Sequence, residues 1–580
     1  MYVQFKQQAA DVLVQAAKEA GYDTAVSDIP FEFSEHADMA TRLAFVLASK
    51  MKENPAAIAS KIISKISLPA EGAAYVGKIT AAGPYINITA SEKYLTETVM
   101  QAVSQKENYG RGTHTGKILL EHTSANPNGP LHVGHIRNSV IGDTLSRILK
   151  KAGYEVEVQY YVNDIGRQIA VVSWACSRYE LDLTKKSDSA IADVYIKANV
   201  DINNDESINN YIEDLMKKVE NGDSETIDSF THAVDLAIAG IKETLLLMNI
   251  KHDRFIRESR FIENGDVWNV IRRLEGSGRT KTEEGGALAV DLKDHGFEKT
   301  LIIKRSNGTS LYTTRDLAYH EWKGAQCDRM IDILGADHKL ISGQLKATLD
   351  VLGSKQPEVV IFEFVSLPEG SMSTRRGKFI SADDLVNEVI SKAYEEVSAR
   401  RPDATEEFRQ KTARAVGVGA VRYDVVKVSP EKSTIFDWKK ALDFEKQGAP
   451  YIQYAHARAA NILAKAEEEG IFNEGDDAAV RETAASKACL LTESYETDLI
   501  RKIAEFDQII ETCAKDLKPH SFAIYARELA DSFNQFYRFV SVLNADDEDI
   551  RKARLTLVYA AKIAIADALD VLGIEAPDAM

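Results

Sequence analysis

Near the start of the chain, hydrophobic positions recur at helical spacing: Phe5, Ala9, Val12, Leu13, Ala16 and Ala17. A second apolar-faced helix is predicted over 42–51. Gly83 and Pro84 then introduce an alternation, with Ile86 and Ile88 on one face of a short strand and Tyr85 and Asn87 on the other. A polar run near 107–115 closes this α+β unit, residues 1–112. Strand, helix, strand follows: 117–122, then about 132–152 ended by Gly153, then 155–161. At that length the unit is βαβ with parallel pairing. Between about 181 and 275 the pattern is charged and mostly helical, an apparent insertion, and the polar stretch 201–210 (DINNDESINN) is turn-like. Strands are predicted again at 287–292, 299–304, 330–334 and 359–365, completing an α/β unit over 113–400. Beyond it the pattern is helical, with a connector at 401–443 and a helical domain at 444–580. Asp403 and Glu406 resemble a capping box with Asp403 as the cap. Tyr525, Leu529, Phe533, Phe536, Val540 and Leu543 fall on one stripe. Gly417 and Gly419 lie in a helical stretch with no strand before them, so close helix packing explains them better than a phosphate loop.

Composition narrows the function classes. A chain of 580 residues is long enough for several domains. Its net charge of −17 argues against non-specific nucleic-acid coating, although a local basic face would be hidden in that total. No apolar run reaches the ~18 residues of a membrane span. The opening residues lack the basic and apolar regions of a secretory signal, so a cytoplasmic protein without a membrane partner is expected. Cys176, Cys327, Cys489 and Cys513 form no CxxC pair, so neither a zinc site nor a disulfide framework is suggested.

The most specific feature is Ser124-Ala125-Asn126-Pro127-Asn128-Gly129-Pro130-Leu131-His132-Val133-Gly134-His135, joining a predicted strand to a predicted helix. His132 and His135 share a face of the first helical turn, where backbone N–H groups attract phosphate. Two imidazole donors there suit charge developing on an α-phosphate. Capping or core histidines are the plain alternative, and a zincin would need HExxH. The second feature, Gly370-Ser-Met-Ser-Thr-Arg-Arg-Gly-Lys378, is a glycine-bounded loop with three cations, suited to closing over a leaving pyrophosphate.

HVGH and SMSTRRGK resemble the two signature motifs of class I aminoacyl-tRNA synthetases. With YYVNDIGRQ, SLYTTRDLAY, GADH and YIQYAHARAANIL, the chain resembles the arginyl-tRNA synthetases over nearly its whole length. The resemblance implies a Rossmann catalytic domain, an N-terminal domain touching the tRNA D-loop and a helical C-terminal anticodon-binding domain. It implies ATP with Mg²⁺, L-arginine and tRNA(Arg) as ligands, and a monomer is expected. It carries ATP binding to the 124–135 stretch and to Met372, Ser373, Arg375 and Arg376. Catalytic roles fall to His132, His135, Arg375 and Lys378.

For arginine, the resemblance points to Glu121, Asn126, Tyr312, Asp316 and His338, with Asp316 as the guanidinium partner. A guanidinium calls for a carboxylate; the plain alternative for Asp316 is a surface ion pair with Arg315. Asp337, Asn163 and Asp164 follow strand ends, though an Asn-Asp turn explains the last two equally well. For tRNA, Tyr85 and Asn87 suit stacking and edge bonding to an unstacked base. Tyr454 and Arg458, beside Tyr451 and His456, give a helix aromatic and basic character. Two lysines usual in such enzymes are replaced, by Gly129 and Thr374. Arg375, Arg376 and Lys378 are the nearest substitutes. A small-molecule adenylyltransferase would share the HxGH turn but not the long helical tail, and a non-catalytic tRNA-binding relative would be expected to lose the histidines.

Overall fold

The computed structural model describes the chain apart from residues 33, 35, 36, 69–73, 221, 367–379 and 446–447. Its N-terminal sheet is antiparallel: β1 (Phe31–Glu32), β2 (Met39–Thr41), β3 (Val76–Ala82) and β4 (Tyr85–Ala90), in the order β1-β2-β4-β3. Ile86 and Ile88 share one core with Phe5, Ala9 and Leu13 of the Tyr2–Glu19 helix, while Tyr85 stays exposed. The Glu92–Gln105 helix starts in that core, where Tyr94 packs on Phe5, and then leaves it. Its Val99, Ala102 and Val103 bury among the C-terminal helices. Packing therefore changes hands within this helix, between Tyr94 and Val99, rather than at 112.

In the centre, β5 (Lys117–Glu121), β6 (Glu155–Val162) and β7 (Arg254–Arg257) run parallel and adjacent. Then β8 (Thr280–Thr282), β9 (Leu288–Val290) and β10 (Leu301–Lys304) form a separate antiparallel sheet. The strands expected at 287–292 and 299–304 thus lie outside the parallel sheet. β11 (Arg329–Gly335) and β12 (Glu358–Phe362) return to the other flank of β5, giving the order β12-β11-β5-β6-β7. The strand order reverses beside β5, and ligands of such sheets bind at the carboxyl edge there. The strand expected over 359–365 is interrupted: β13 (Val365–Ser366) pairs instead with β14 (Thr434–Ile435).

Between β6 and β7 the chain inserts the helices Ser187–Asn204, Glu206–Glu220 and Ser224–Leu247. The 201–210 stretch is helical with a break at Asp205, because Ile202 and Ile212 bury an apolar face that the polar letters conceal. β7 lies within the range read as insertion, so the inserted helices end at Leu247. In the C-terminal half, the Glu406–Val426 helix is capped by Thr405, whose side chain accepts from Phe408 N, not by Asp403. A Cβ at Gly417 would stand 2.8 Å from Ile390 Cα, so the glycine serves close helix packing. Fully buried Arg422 donates to the Leu572 and Met248 carbonyls and pairs with Asp143 at 2.5 Å, tying three segments together. Tyr525, Leu529, Phe533 and Phe536 are buried along the Pro519–Phe539 helix; Val540 is its cap and Leu543 lies beyond it.

Candidate active site

Immediately beyond β5 the backbone is strained. Thr123 and Ser124 hold φ of +70° and +37°, a region that non-glycine residues avoid. Side chains fix it. Asn138 accepts from Thr123 N at 2.7 Å and donates to Ile333 O at 3.0 Å. Ser124 Oγ donates to Glu121 Oε1 at 2.9 Å and accepts from Tyr161 N at 3.0 Å.

His132 is the N-cap of the Val133–Lys151 helix. Its Nδ1 accepts from Gly134 N at 3.0 Å, and His135 Nδ1 accepts from His132 N at 3.2 Å. Burial lowers the pKa of His132; burial, with His132 beside it, lowers His135 to about 3. Both rings are therefore neutral, and because each Nδ1 accepts, each carries its proton on Nε2. The rings stack at 3.7 Å. A Cβ at Gly134 would stand 2.9 Å from His132 Cε1, so this glycine makes room for the histidine's own ring. Gly129, where a lysine is usual, faces Ala192 of an inserted helix, with 3.1 Å left for a Cβ.

Beside this turn lies an interior ionic cluster. Glu121 of β5 and Asp332 of β11 are register partners, and both are buried. Lys323, with no exposed side-chain surface, reaches Glu121 Oε2 at 3.1 Å and Asp332 Oδ1 at 2.5 Å. His320 places Nε2 2.9 Å from Asp332 Oδ2 and Nδ1 3.0 Å from Asp316 Oδ1. Burial raises the Glu121 pKa, against the pull of Lys323. Burial opposes a charge on His320, but Asp316 and Asp332 outweigh it and push its pKa up to about 10. Burial likewise opposes the Asp332 charge, yet Lys323 and His320 hold its pKa well below the usual range. With all five groups ionised, three carboxylates against two cations leave one negative charge, which suits a substrate group bearing one positive charge. Among the described residues, Glu121, His320 and Asp332 are also close enough to share a metal ion. The Lys323 ammonium already lies between the two carboxylates and repels one.

Asp316 is a quarter exposed, one turn after the half-exposed Tyr312 on the Tyr312–Gly324 helix. Arg315 does not form the surface ion pair with it. Its Nε pairs with buried Glu258, and its Nη1 donates to Ser310 O at 3.1 Å. Burial, opposed by Arg315, pushes Glu258 up to about 7. The Asn163 amide, oriented to donate, reaches Glu258 Oε2 at 2.7 Å. Asp164 accepts from Ser259 N and Oγ at 2.9 and 2.7 Å, a structural cap on the Ser259–Glu263 helix that follows β7. Asn126 is exposed, and His338, just past β11, is half exposed. The second signature stretch, with Met372, Ser373, Thr374, Arg375, Arg376 and Lys378, lies outside the described residues.

Sequence reasoning missed several members of the site. His320 and Lys323 stand four and seven positions after Asp316, on the same helix face, and Asp332 interrupts an apolar strand. Those two signals were available. Tyr161 stacks on Tyr319 at 4.5 Å, and its hydroxyl is buried without a hydrogen-bond partner among the described residues. Burial, with Glu258 and Asp316 nearby, raises its pKa well above the usual value.

Two surfaces elsewhere carry the remaining candidates. Exposed Tyr85 packs edge-on to Phe45 at 5.3 Å, and Asn87 is half-buried. On the Ala449–Glu468 helix, Arg458 lies between Tyr454 at 4.7 Å and Tyr537 at 4.5 Å. All three line a groove of about 880 Å³ with Arg400, Asn534 and Arg538. His456 is buried on Pro577 O and half-buried Tyr451 donates to Asp531, so those two serve the helix packing.

Residues 98–438 match the family model for the catalytic domain of "tRNA synthetases class I (R)". Residues 452–580 match the "DALR anticodon binding domain" and residues 6–90 the "Arginyl tRNA synthetase N terminal domain". An arginine–tRNA ligase of Methanosarcina barkeri is 60% identical over 580 residues, covering 100% of both chains. One of Methanosarcina acetivorans is 61% identical over 578 residues, again covering 100% of both. The arginyl-tRNA synthetase structure of Thermus thermophilus superposes with a TM-score of 0.83 at 26% identity, covering 99% of this chain and 100% of that one. Matched from end to end in sequence and fold, with the HVGH turn at the carboxyl edge of its parallel sheet, the chain belongs to the arginyl-tRNA synthetase family of class I aminoacyl-tRNA synthetases.

Proposed function

We propose that the protein is an arginine–tRNA ligase: it activates L-arginine with ATP to arginyl-adenylate and transfers the arginine to the 3′ end of tRNA(Arg). The observation that carries this assignment within the site is the buried ionic cluster, three carboxylates around two cations, whose Glu121 ends the strand that leads into the His132–His135 turn. Asp316 takes the guanidinium, with Tyr312 alongside. Glu121 and Asn126 hold the amino-acid end, and His338 borders the site.

The arginine carboxylate attacks the α-phosphorus of ATP, and pyrophosphate leaves. Charge develops on the α-phosphate oxygens, and the Nε2–H groups of His132 and His135 offer two neutral donors for it at a helix N-terminus. Neutral rings keep this capacity across the physiological range because burial has already removed their charge. ATP enters as its magnesium complex, which neutralises part of the leaving pyrophosphate. The rest comes from Arg375, Arg376 or Lys378, Arg375 first, in place of the lysines usual at the positions of Gly129 and Thr374. The 124–135 stretch, with Met372 and Ser373, forms the ATP site.

The N-terminal unit, through Tyr85 and Asn87, contacts the tRNA D-loop. The 444–580 domain, through Tyr454 and Arg458, contacts the anticodon; the exposed aromatic and arginine side chains of its groove support this. No described helix is long and apolar enough to cross a membrane. We place the enzyme in the cytoplasm as a monomer, without zinc. The test is ATP–pyrophosphate exchange across the twenty amino acids, with tRNA present. Arginine should support it; exchange with another amino acid and not with arginine refutes the assignment.

A further inference from the structure

We propose that His320 is a positioning residue for arginine selection: a fixed imidazolium that orients the Asp316 carboxylate and sets the charge of the pocket. The proposal rests on Asp316 as the guanidinium partner. Hydrogen-bond roles determine the protonation of the ring. Nδ1 lies 2.9 Å from the main-chain oxygen of Asp316, which can only accept, so Nδ1 carries a proton. The same N–H leans toward Asp316 Oδ1 at 3.0 Å. Nε2 faces Asp332 Oδ2 at 2.9 Å, and the other oxygen of that carboxylate takes the Lys323 ammonium. An ionised carboxylate only accepts, so Nε2 carries a proton as well. With both nitrogens protonated, the ring is a cation.

The ring is 4% exposed and lies edge-on to Tyr319 at 5.2 Å, so it has little freedom to leave. Its charged neighbours are Asp316, Asp332 and, through Asp332, Lys323 and Glu121. One oxygen of Asp316 is thereby tied down on its own helix, and the carboxylate is held in one orientation. Without His320 the cluster would carry two excess negative charges rather than one, and Asp316 would rotate freely. A single guanidinium would then meet a mismatched and mobile partner.

Two measurements test this. In the full-length protein with ¹⁵N-labelled histidine at about pH 8.5, an ordinary histidine is roughly 1% charged. One of the twelve histidines should nevertheless keep both ring nitrogens protonated; if none does, the proposal is overturned whether or not any variant folds. In pyrophosphate exchange, His320→Gln retains a donor toward Asp332 but loses the charge and the Asp316 contact. It should raise the arginine KM by about tenfold or more, as expected for loss of a charge-assisted bond. The ATP KM and kcat should stay within about threefold, because His320 touches no reacting atom. His320→Asn, whose amide occupies the Nδ1 position, should recover part of that loss. If both variants keep the parental arginine KM while Asp316→Asn raises it, His320 is not the positioning residue and the pocket assignment stands. If Asp316→Asn also leaves the KM unchanged, both fall.

Discussion

Replacing Asp316 with Asn keeps the side-chain size and removes one of the three carboxylates in the cluster. The excess charge drops from one to zero, and the guanidinium loses the charge-assisted acceptor proposed for it. Such a bond is worth about 1.5–3 kcal/mol. Asp316 is a quarter exposed, so solvent screens part of the attraction and the lower half of that range applies. By transition-state arithmetic the expected loss in kcat/KM for arginine is about 10- to 40-fold. It should appear chiefly as a higher arginine KM, because the contact is made in both ground and transition states. The ATP KM should not move, since Asp316 lies outside the 124–135 stretch proposed for ATP. Citrulline adds a second readout. Its neutral urea offers the parent enzyme no charge, so Asp316→Asn should cut the preference for arginine over citrulline by a similar factor. The assay is arginine-dependent pyrophosphate exchange with tRNA present. An unchanged arginine KM and an unchanged preference over citrulline would place the guanidinium elsewhere, with Glu258 the next carboxylate to test.

His132→Ala and His135→Ala should each slow single-turnover adenylate formation by about 10²–10³-fold, the loss of one preorganised donor, with arginine binding nearly intact; parental rates would exclude the donor role. Acid should destabilise the fold through its buried neutral histidines. Burial lowers His252 to about 4 and His135 to about 3, against about 6.5 in an unfolded chain. The unfolded state therefore binds the extra protons, and stability is fully present above pH 6.5 and lost as pH falls toward those values. His252→Gln should flatten the loss between about pH 6.5 and 4 in melting experiments, and parallel pH curves would contradict this. Tyr454→Ala and Arg458→Ala should lower kcat/KM for tRNA(Arg) by about 5- to 150-fold, the worth of a stacked base, without changing the arginine KM; normal charging by both folded variants would remove them from the interface.

The catalytic frame was legible because its signals are local. A strand, a proline-glycine turn and a histidine N-cap are written in consecutive letters, and the 133–151 helix begins where HVGH predicts. The ionic cluster was not legible as a unit. Glu121, Asp316, His320, Lys323 and Asp332 come from two strands and a helix, and their charges make sense only once β11 lies beside β5. Periodicity also misled where polar letters outnumbered apolar ones. The 201–210 stretch has the composition of a turn, yet its helices are held down by buried Ile202 within it and by Ala198, Ile212 and Leu215 on either side. Strand propensity likewise identified β9 and β10 but not their partners, because pairing direction is set by connections that no single strand encodes. Aromatic residues on the Ala449–Glu468 helix divided by exposure: Tyr454 faces solvent while Tyr451 donates into the fold, a distinction of three positions on one helix.

The most direct measurement is aminoacylation of a tRNA(Arg) transcript by the purified full-length chain, with ATP and each labelled amino acid in turn. Arginine should become esterified to the transcript, with AMP and pyrophosphate released. Attachment of a different amino acid, or adenylate formation with arginine that never reaches the tRNA, would contradict the account.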